Sequence, residues 1–371
     1  MKHPIIFLLA LAALCQSCFR SAEPKYPSTV LDVSNERELD AVIFETHARV
    51  INDQNEIVGY TSSSQPTNRN LDYPIDAFRI LPDGTGYVSL SVPQAYATWA
   101  MDINDQGLVA GAYRLATDEP AHAMAIMSDG TGFQDLHPAF AYASVATHVT
   151  PQGQILGFVV DDNDVEEAVI FDVETESVAY LMPQGTGFSK VEVVNSSLAI
   201  LRFTPTNATL SQLWQYNFAD GSNERLNFPL VEEDMLFVEW INEDNEVLGW
   251  YLDLTDFSEQ GYQYTLGQPE ARLYSTAIRE GGSNYVWFRF LGQTADGKIA
   301  GVASRENGGG LPQARAFVFE ADYTGFEDIT PDNRGAYGEV YDVNANGWIV
   351  GYAGFANPAA TLYNRAFALQ R

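Results

Sequence analysis

One short phrase recurs seven times along the chain, and it limits the fold to a ring or stack of like units. Six copies end in an apolar pair followed by glycine: Ile57-Val58-Gly59, Val109-Ala110-Gly111, Ile155-Leu156-Gly157, Val247-Leu248-Gly249, Ile299-Ala300-Gly301 and Ile349-Val350-Gly351. A turn-forming residue stands seven positions before each glycine, at Asn52, Asn104, Thr150, Asn242, Thr294 and Asn344. A seventh, eroded copy runs from Asn195 to Leu201 and has lost its glycine. Successive turn residues are 52, 46, 45, 47, 52 and 50 positions apart. Self-similarity at such a period marks a repeat architecture rather than two or three ordinary domains.

Each unit reads as four short strands. In the first, His47–Ile51 and Glu56–Thr61 flank the turn Asn52-Asp53-Gln54-Asn55, and Asp76–Leu81 and Tyr87–Ser91 flank Asp83-Gly84-Thr85-Gly86. Asx side chains bond their own backbone and glycine accepts positive φ, so both turns are hairpin signals. Seven four-stranded units predict an all-β, seven-bladed β-propeller. The last unit stops after its third strand, Asn364–Leu369, while Thr29–Val33 at the other end resembles the missing fourth strand. The N-terminal strand is therefore expected to complete the last blade, closing the ring and removing an open edge. The phrase's glycine is read as a packing glycine, approached closely by a neighbouring sheet.

Twenty basic against 49 acidic residues give a formal charge of −29. Such a surface repels nucleic acid and anionic membranes, which bind through Lys and Arg. It attracts cations or a basic partner, or serves solubility in a salty medium. Ahead of the repeats, Lys2 and the apolar run Ile5–Leu14 form a signal-like segment too short to span a bilayer. Both cysteines, Cys15 and Cys18, follow it. Cys18, preceded by small Ser17, resembles a lipobox cysteine, although the position three before it is Cys15 rather than Leu. The expected organisation is a signal peptide over 1–18, a linker over 19–28 and the propeller over 29–371. An outer-membrane or cell-surface lipoprotein is expected, held to the membrane only through its lipid; periplasmic location or secretion is the alternative. The mature chain lacks cysteine partners for disulfides, and a monomer is expected.

Ala48–Gly59 with Asp76-Ala77-Phe78, Ala100–Gly111 with His122-Ala123-Met124, Arg315-Ala316-Phe317 and Arg365-Ala366-Phe367 together resemble the HAF extracellular repeat of bacterial exported proteins. The resemblance spans Thr29 to the end, weakest in the third to fifth units, and keeps the name-giving histidine only as His122. It implies export and a repeat fold, and carries no catalytic residue with it.

No Gly-x-Ser-x-Gly elbow, phosphate loop, dinucleotide fingerprint or His-Glu-x-x-His stands in the sequence. The histidines His47, His122, His137 and His148 fall at different points of their repeats and are read as strand or loop residues. Calcium is the one cofactor worth weighing. Asp342-x-Asn344-x-Asn346-Gly347 opens like a calcium loop but lacks the closing acid and doubles as a hairpin turn. The acidic loop containing Asp161, Asp162 and Asp164 is the other candidate; like charges so dense must be solvated or bridged by a cation. Long, dissimilar connections between second and third strands share one propeller face, where a rigid scaffold presenting variable loops suits binding. Tyr60, Tyr113, Trp250, Tyr251 and Tyr352 lie near that face and, with His122, are the candidate binding residues, the aromatics serving either to stack on a sugar or as core between blades. The expectation is a non-enzymatic envelope module that binds a glycan or a protein. The alternative is a secreted glycosidase or lyase with carboxylates in the central channel.

Overall fold

The computed structural model describes residues 28–31, 45–62, 75–175, 177–229, 235–253, 258–274, 278–280, 283–305, 313–320, 325–331, 338–356 and 362–370. Seven antiparallel blades follow one another around an axis. Their inner strands are Glu45–Ile51, Ala97–Ile103, Ala143–Val149, Gly187–Val194, Leu236–Ile241, Ser283–Gln293 and Gly338–Val343, in blades 1 to 7. Blade 6 carries an extra short strand, Ile278–Glu280, paired with the start of its inner strand. Blades 7 and 1 touch edge to edge through one parallel pairing, Glu45 with Asn364.

The ring closes as the sequence predicts. Ser28–Leu31 pairs antiparallel with the last strand, Leu362–Gln370, setting Ser28 opposite Leu369 and Leu31 opposite Ala366. The strand begins at Ser28, one residue before the expected boundary, and Leu31 is fully buried. The signal-like segment, Cys15 and Cys18 lie outside the described residues, as does most of the first variable loop.

A propeller has no single core. Apolar side chains fill seven clusters, each between adjacent blades; Leu248 of blade 5, for example, packs with Phe288, Phe290, Phe317 and Phe319 of blade 6. The two halves of the repeated phrase meet across this packing. Gly59, Gly111, Gly249, Gly301 and Gly351 pair directly with Phe78, Met124, Tyr262, Phe317 and Phe367. The glycine leaves room for the large side chain lying across it. A second constraint comes from within the blade rather than from a neighbouring sheet: a methyl group at Gly59 or Gly249 would overlap the carbonyl oxygen of His47 or Phe237 on the inner strand. In all seven blades the inner strand bulges at the same place, three residues before the turn residue. A bulge bends a strand and re-aims a side chain.

The turn residues do more than turn. Asn52 Oδ1 accepts the N–H groups of Gln54 and Glu56, closing its own hairpin. Its amide donates 2.9 Å to the carbonyl of Asn104 in the next blade. Asn104 reaches Thr150, Asn195 reaches Asn242 and Asn344 reaches Asn52 in the same way, at 3.1, 2.8 and 2.8 Å. A buried asparagine thus satisfies two blades at once, which a threonine hydroxyl is too short to do.

Candidate functional site

A cavity of about 1140 Å³ follows the propeller axis, lined by the inner strands of all seven blades. The bulge decides what faces it. The residues three before each turn residue are Arg49, Met101, Thr147, Glu192, Glu239, Leu291 and Tyr341, and every blade sends one into the channel wall. Positions four before the turn stay apolar in every blade, as Ala48, Ala100, Ala146, Val191, Val238, Phe290 and Val340. The bulge position therefore varies where its neighbour does not. That contrast is legible in the sequence once the seven phrases are aligned, and a search centred on the loops passes over it.

Carboxyl groups dominate the wall: Asp53, Asp102, Asp105, Glu192, Glu239, Glu243, Glu259, Glu339 and Asp342 line it, against the guanidinium groups of Arg49 and Arg289. They divide by what they touch. Asp102 and Asp342 sit just after their bulges, half-buried on the channel wall, and each latches the next blade. Asp102 Oδ2 accepts 2.8 Å from the Val149 N–H, and Asp342 Oδ2 accepts 2.9 Å from that of Ile51. Burial pushes both carboxyls up to about 7, while their backbone donors pull the other way. These two are committed to backbone and offer nothing to a substrate. His148 fills the same position in blade 3, with Nε2 3.2 Å from the Glu192 carbonyl and Nδ1 2.8 Å from Thr147 Oγ1. Burial lowers its pKa to about 4, so the ring is neutral.

Glu192 and Glu239 occupy the bulges of adjacent blades in unlike settings. Glu192 is ion-paired with Lys190 at 3.0 Å and Arg202 at 2.9 Å. Glu239 accepts 2.8 Å from Trp250 Nε1. Solvent reaches it through the channel although protein surrounds most of it; this enclosure raises its pKa, as does the Glu192 charge, against the opposing pull of Trp250 and Arg289. Trp250 lies flat on Phe237, ring centroids 3.9 Å apart and planes 8° from parallel. Arg202 of blade 4 sits over Phe237 at 5.4 Å, and Arg289 of blade 6 over Trp250 at 4.5 Å.

The remaining candidate aromatics do not converge with Trp250. Tyr60 and Tyr352 flank His47 at the junction of blades 1 and 7, 4.9 and 5.4 Å from its ring. Tyr352 also packs on Tyr341, which Arg49 covers at 4.9 Å. Strand alternation turns Tyr113 and Tyr251 to the opposite side, where both are buried. Their hydroxyls donate to Asp135 at 2.9 Å and to Gln260 at 2.7 Å. His122 stands 3.9 Å from Asp135 and stacks on His137, centroids 3.9 Å apart. Two histidines distant in sequence thus come together, a pairing with no signal in their repeat positions.

The acidic loop of blade 3 is an Asx turn. Asp161 Oδ1 accepts from the N–H groups of Asn163 and Val165, and Asp164 takes a φ of 60°. The hydrogen bonds hold the Asp161 carboxyl below its usual range. Among the described residues no three His, Cys, Asp or Glu side chains gather as metal ligands would, those of Asp161, Asp162 and Asp164 included.

No protein-family model matches the sequence, and no curated protein matches it. The resemblance to HAF repeats thus rests on the quoted residues alone. Among solved structures, the chain is similar to the β-propeller domain of the Trilobed protease from Pyrococcus furiosus, with TM-score 0.57 and 11% identity over 88% of this chain and 96% of that one. It is also similar to an acylaminoacyl peptidase (TM-score 0.54, 10% identity, 87% of this chain and 51% of that one). An oligogalacturonate lyase from Vibrio parahaemolyticus matches with TM-score 0.51 and 8% identity over 94% of each chain. The Pyrococcus domain has an open velcro topology, whereas here Ser28–Leu31 clasps the last blade. At these identities the likeness is one of fold: a seven-bladed β-propeller.

Proposed function

We propose that the chain is a non-enzymatic, exported binding module whose axial channel receives a basic segment of a protein partner. One observation carries this reading: besides the backbone-bound latches Asp102 and Asp342, seven carboxyl groups line the cavity against two guanidinium groups. A cleft lined by one sign of charge focuses its field and concentrates ligands of the other sign. Of the two partner classes the sequence leaves open, a neutral glycan gains nothing from that field and an acidic one is repelled. A lysine- or arginine-bearing segment is drawn in. Fluorescence anisotropy with a labelled Lys/Arg-rich peptide, its Glu-substituted counterpart and labelled polysaccharides tests this. Binding of the basic peptide alone, weakening as salt is raised, is expected. Binding of a polysaccharide with none of the basic peptide at low salt would overturn it.

A second reading, a carbohydrate-active enzyme, draws on the unlike settings of Glu192 and Glu239. Two carboxyls, one ion-paired and one with raised pKa, suit acid–base cleavage of a glycosidic bond. It requires that the wild-type chain release sugar products from a polysaccharide panel and that Glu239→Gln stop the release. A panel with no turnover removes it.

A further inference from the structure

We propose that the face of Trp250, together with Glu259 and Glu239, is a guanidinium-binding subsite that the chain's own Arg289 occupies, and that an arginine of the partner enters by displacing it. The inference deepens the reading of the channel as a receiver of basic segments and rests on it.

The subsite has the parts that arginine recognition uses: a rigid aromatic plate, a carboxylate able to accept a two-pronged donor, and further negative charge nearby. Phe237 backs the plate, and the 2.8 Å bond from Trp250 Nε1 to Glu239 fixes its edge. Arg289 shows the fit directly. Its guanidinium lies 4.5 Å from the Trp250 ring centroid, with Nε 2.5 Å and Nη2 2.6 Å from the two oxygens of Glu259. The paired carboxylate, and the charges of Glu339 and Glu239, hold it protonated more firmly than usual. The site therefore already contains a cation, bound as an incoming one would be.

What marks Arg289 as exchangeable is the contrast with Arg202 on the same stack. The Arg202 side chain is 9% exposed, paired with buried Glu192 and bonded to the Leu236 carbonyl at 2.5 Å. It is a fixed part of the blade 4–5 contact. The Arg289 side chain is 45% exposed on the cavity wall, and an ion pair so open to water contributes little net stability. Replacing one guanidinium by another leaves the pairing unchanged, while the channel's surplus of carboxyls favours the added charge.

The test uses the full-length chain, with acetyl-arginine amide and acetyl-lysine amide as probes and titration calorimetry as readout. Arg289→Ala vacates the subsite, and Arg289→Gln keeps most of the stem while removing the charge. Both variants are expected to bind acetyl-arginine amide about tenfold or more tightly than wild type, with a smaller gain for the lysine probe, which cannot match the fork. Adding Glu259→Gln to either variant should remove the gain. Unchanged or weaker binding of the arginine probe in both folded variants would overturn the subsite. The Lys/Arg-rich peptide, titrated in parallel, separates the two claims. If it binds wild type and both variants alike, the channel reading stands and the subsite falls; if it binds none of them, both fall.

Discussion

Six glycines of the repeated phrase have no room for a methyl group, and the reason is local. At Gly249 an added carbon would overlap the Phe237 carbonyl oxygen and stand 2.8 Å from the Tyr262 hydroxyl. Gly249→Ala should therefore force the inner two strands apart and destabilise the chain by about 3 kcal/mol or more. Gly267→Ala, at a left-handed turn with φ +81° and open space around it, should cost only about 1 kcal/mol. Urea midpoints of the two variants check the order, and equal midpoints would remove the steric explanation. The half-buried latches Asp102 and Asp342 carry a pH signature instead. Their carboxyls sit near 7 in the fold and near 4 in the unfolded chain. A pKa raised by folding means that the stability it contributes is fully present below about pH 4 and is lost as pH climbs to about 7. The wild-type melting temperature should fall over that window more steeply than that of an Asp102→Asn/Asp342→Asn double variant. Parallel curves from pH 5 to pH 8 would show that neither group is protonated in the fold. The turn role of the asparagines could be read from sequence, since Asx chemistry is local. Their second bond, to a carbonyl of the next blade, could not.

The strand that matters most for closure is also among the shortest. Ser28–Leu31 supplies the fourth strand of blade 7, buries Leu31 completely and covers the edge of Leu362–Gln370. Deleting residues 28–31 would bare that edge, a ready template for pairing with another chain. Loss of several degrees in melting temperature, or aggregation on light scattering, is expected; a truncated chain that keeps its melting temperature and stays monomeric would contradict the clasp. Most of the fold was legible because hairpin turns and alternating strands write themselves locally and the repeat multiplies the signal sevenfold. The missing last strand could be found by counting. The site was legible only in part. Trp250 was visible as an aromatic after a glycine, but its partners Glu239, Arg289 and Glu259 come from two blades. Tyr113 and Tyr251 carried the same aromatic signal and, one position further along their strands, face the opposite side. A one-residue offset in a strand reverses the face.

Around the whole ring, the blade contacts are not equal. Amide latches cross from blades 1 to 2, 2 to 3, 4 to 5 and 7 to 1, and the last of these is reinforced by the clasp strand. At blade 6 the turn residue is Thr294, whose hydroxyl bonds within its own turn, to Asp296 at 2.5 Å and to Lys298. At blade 5 the turn residue Asn242 likewise accepts within its own turn, from Asp244 and Glu246, and so does Thr150 of blade 3, where His148 reaches the Glu192 carbonyl of blade 4 instead. The blade 5–6 and 6–7 contacts rest on the phenylalanine-rich cluster and the blade 6–7 core. A chain with formal charge −29 repels itself, and a closed ring yields first where fewest bonds cross. Blade 6 should therefore open before blades 1 and 2. Native-state hydrogen exchange tests this directly: amides of Ile299–Arg305 should exchange faster than those of the equivalent strand Leu108–Arg114, and the difference should narrow as salt screens the repulsion. Thr294→Asn supplies the missing amide within reach of the Asn344 carbonyl while keeping an oxygen for the Lys298 N–H. It should slow exchange in blades 6 and 7 and add about 1 kcal/mol of stability. Uniform exchange around the ring, or a Thr294→Asn variant that protects only its own turn, would mean that apolar packing alone sets the order in which the blades separate.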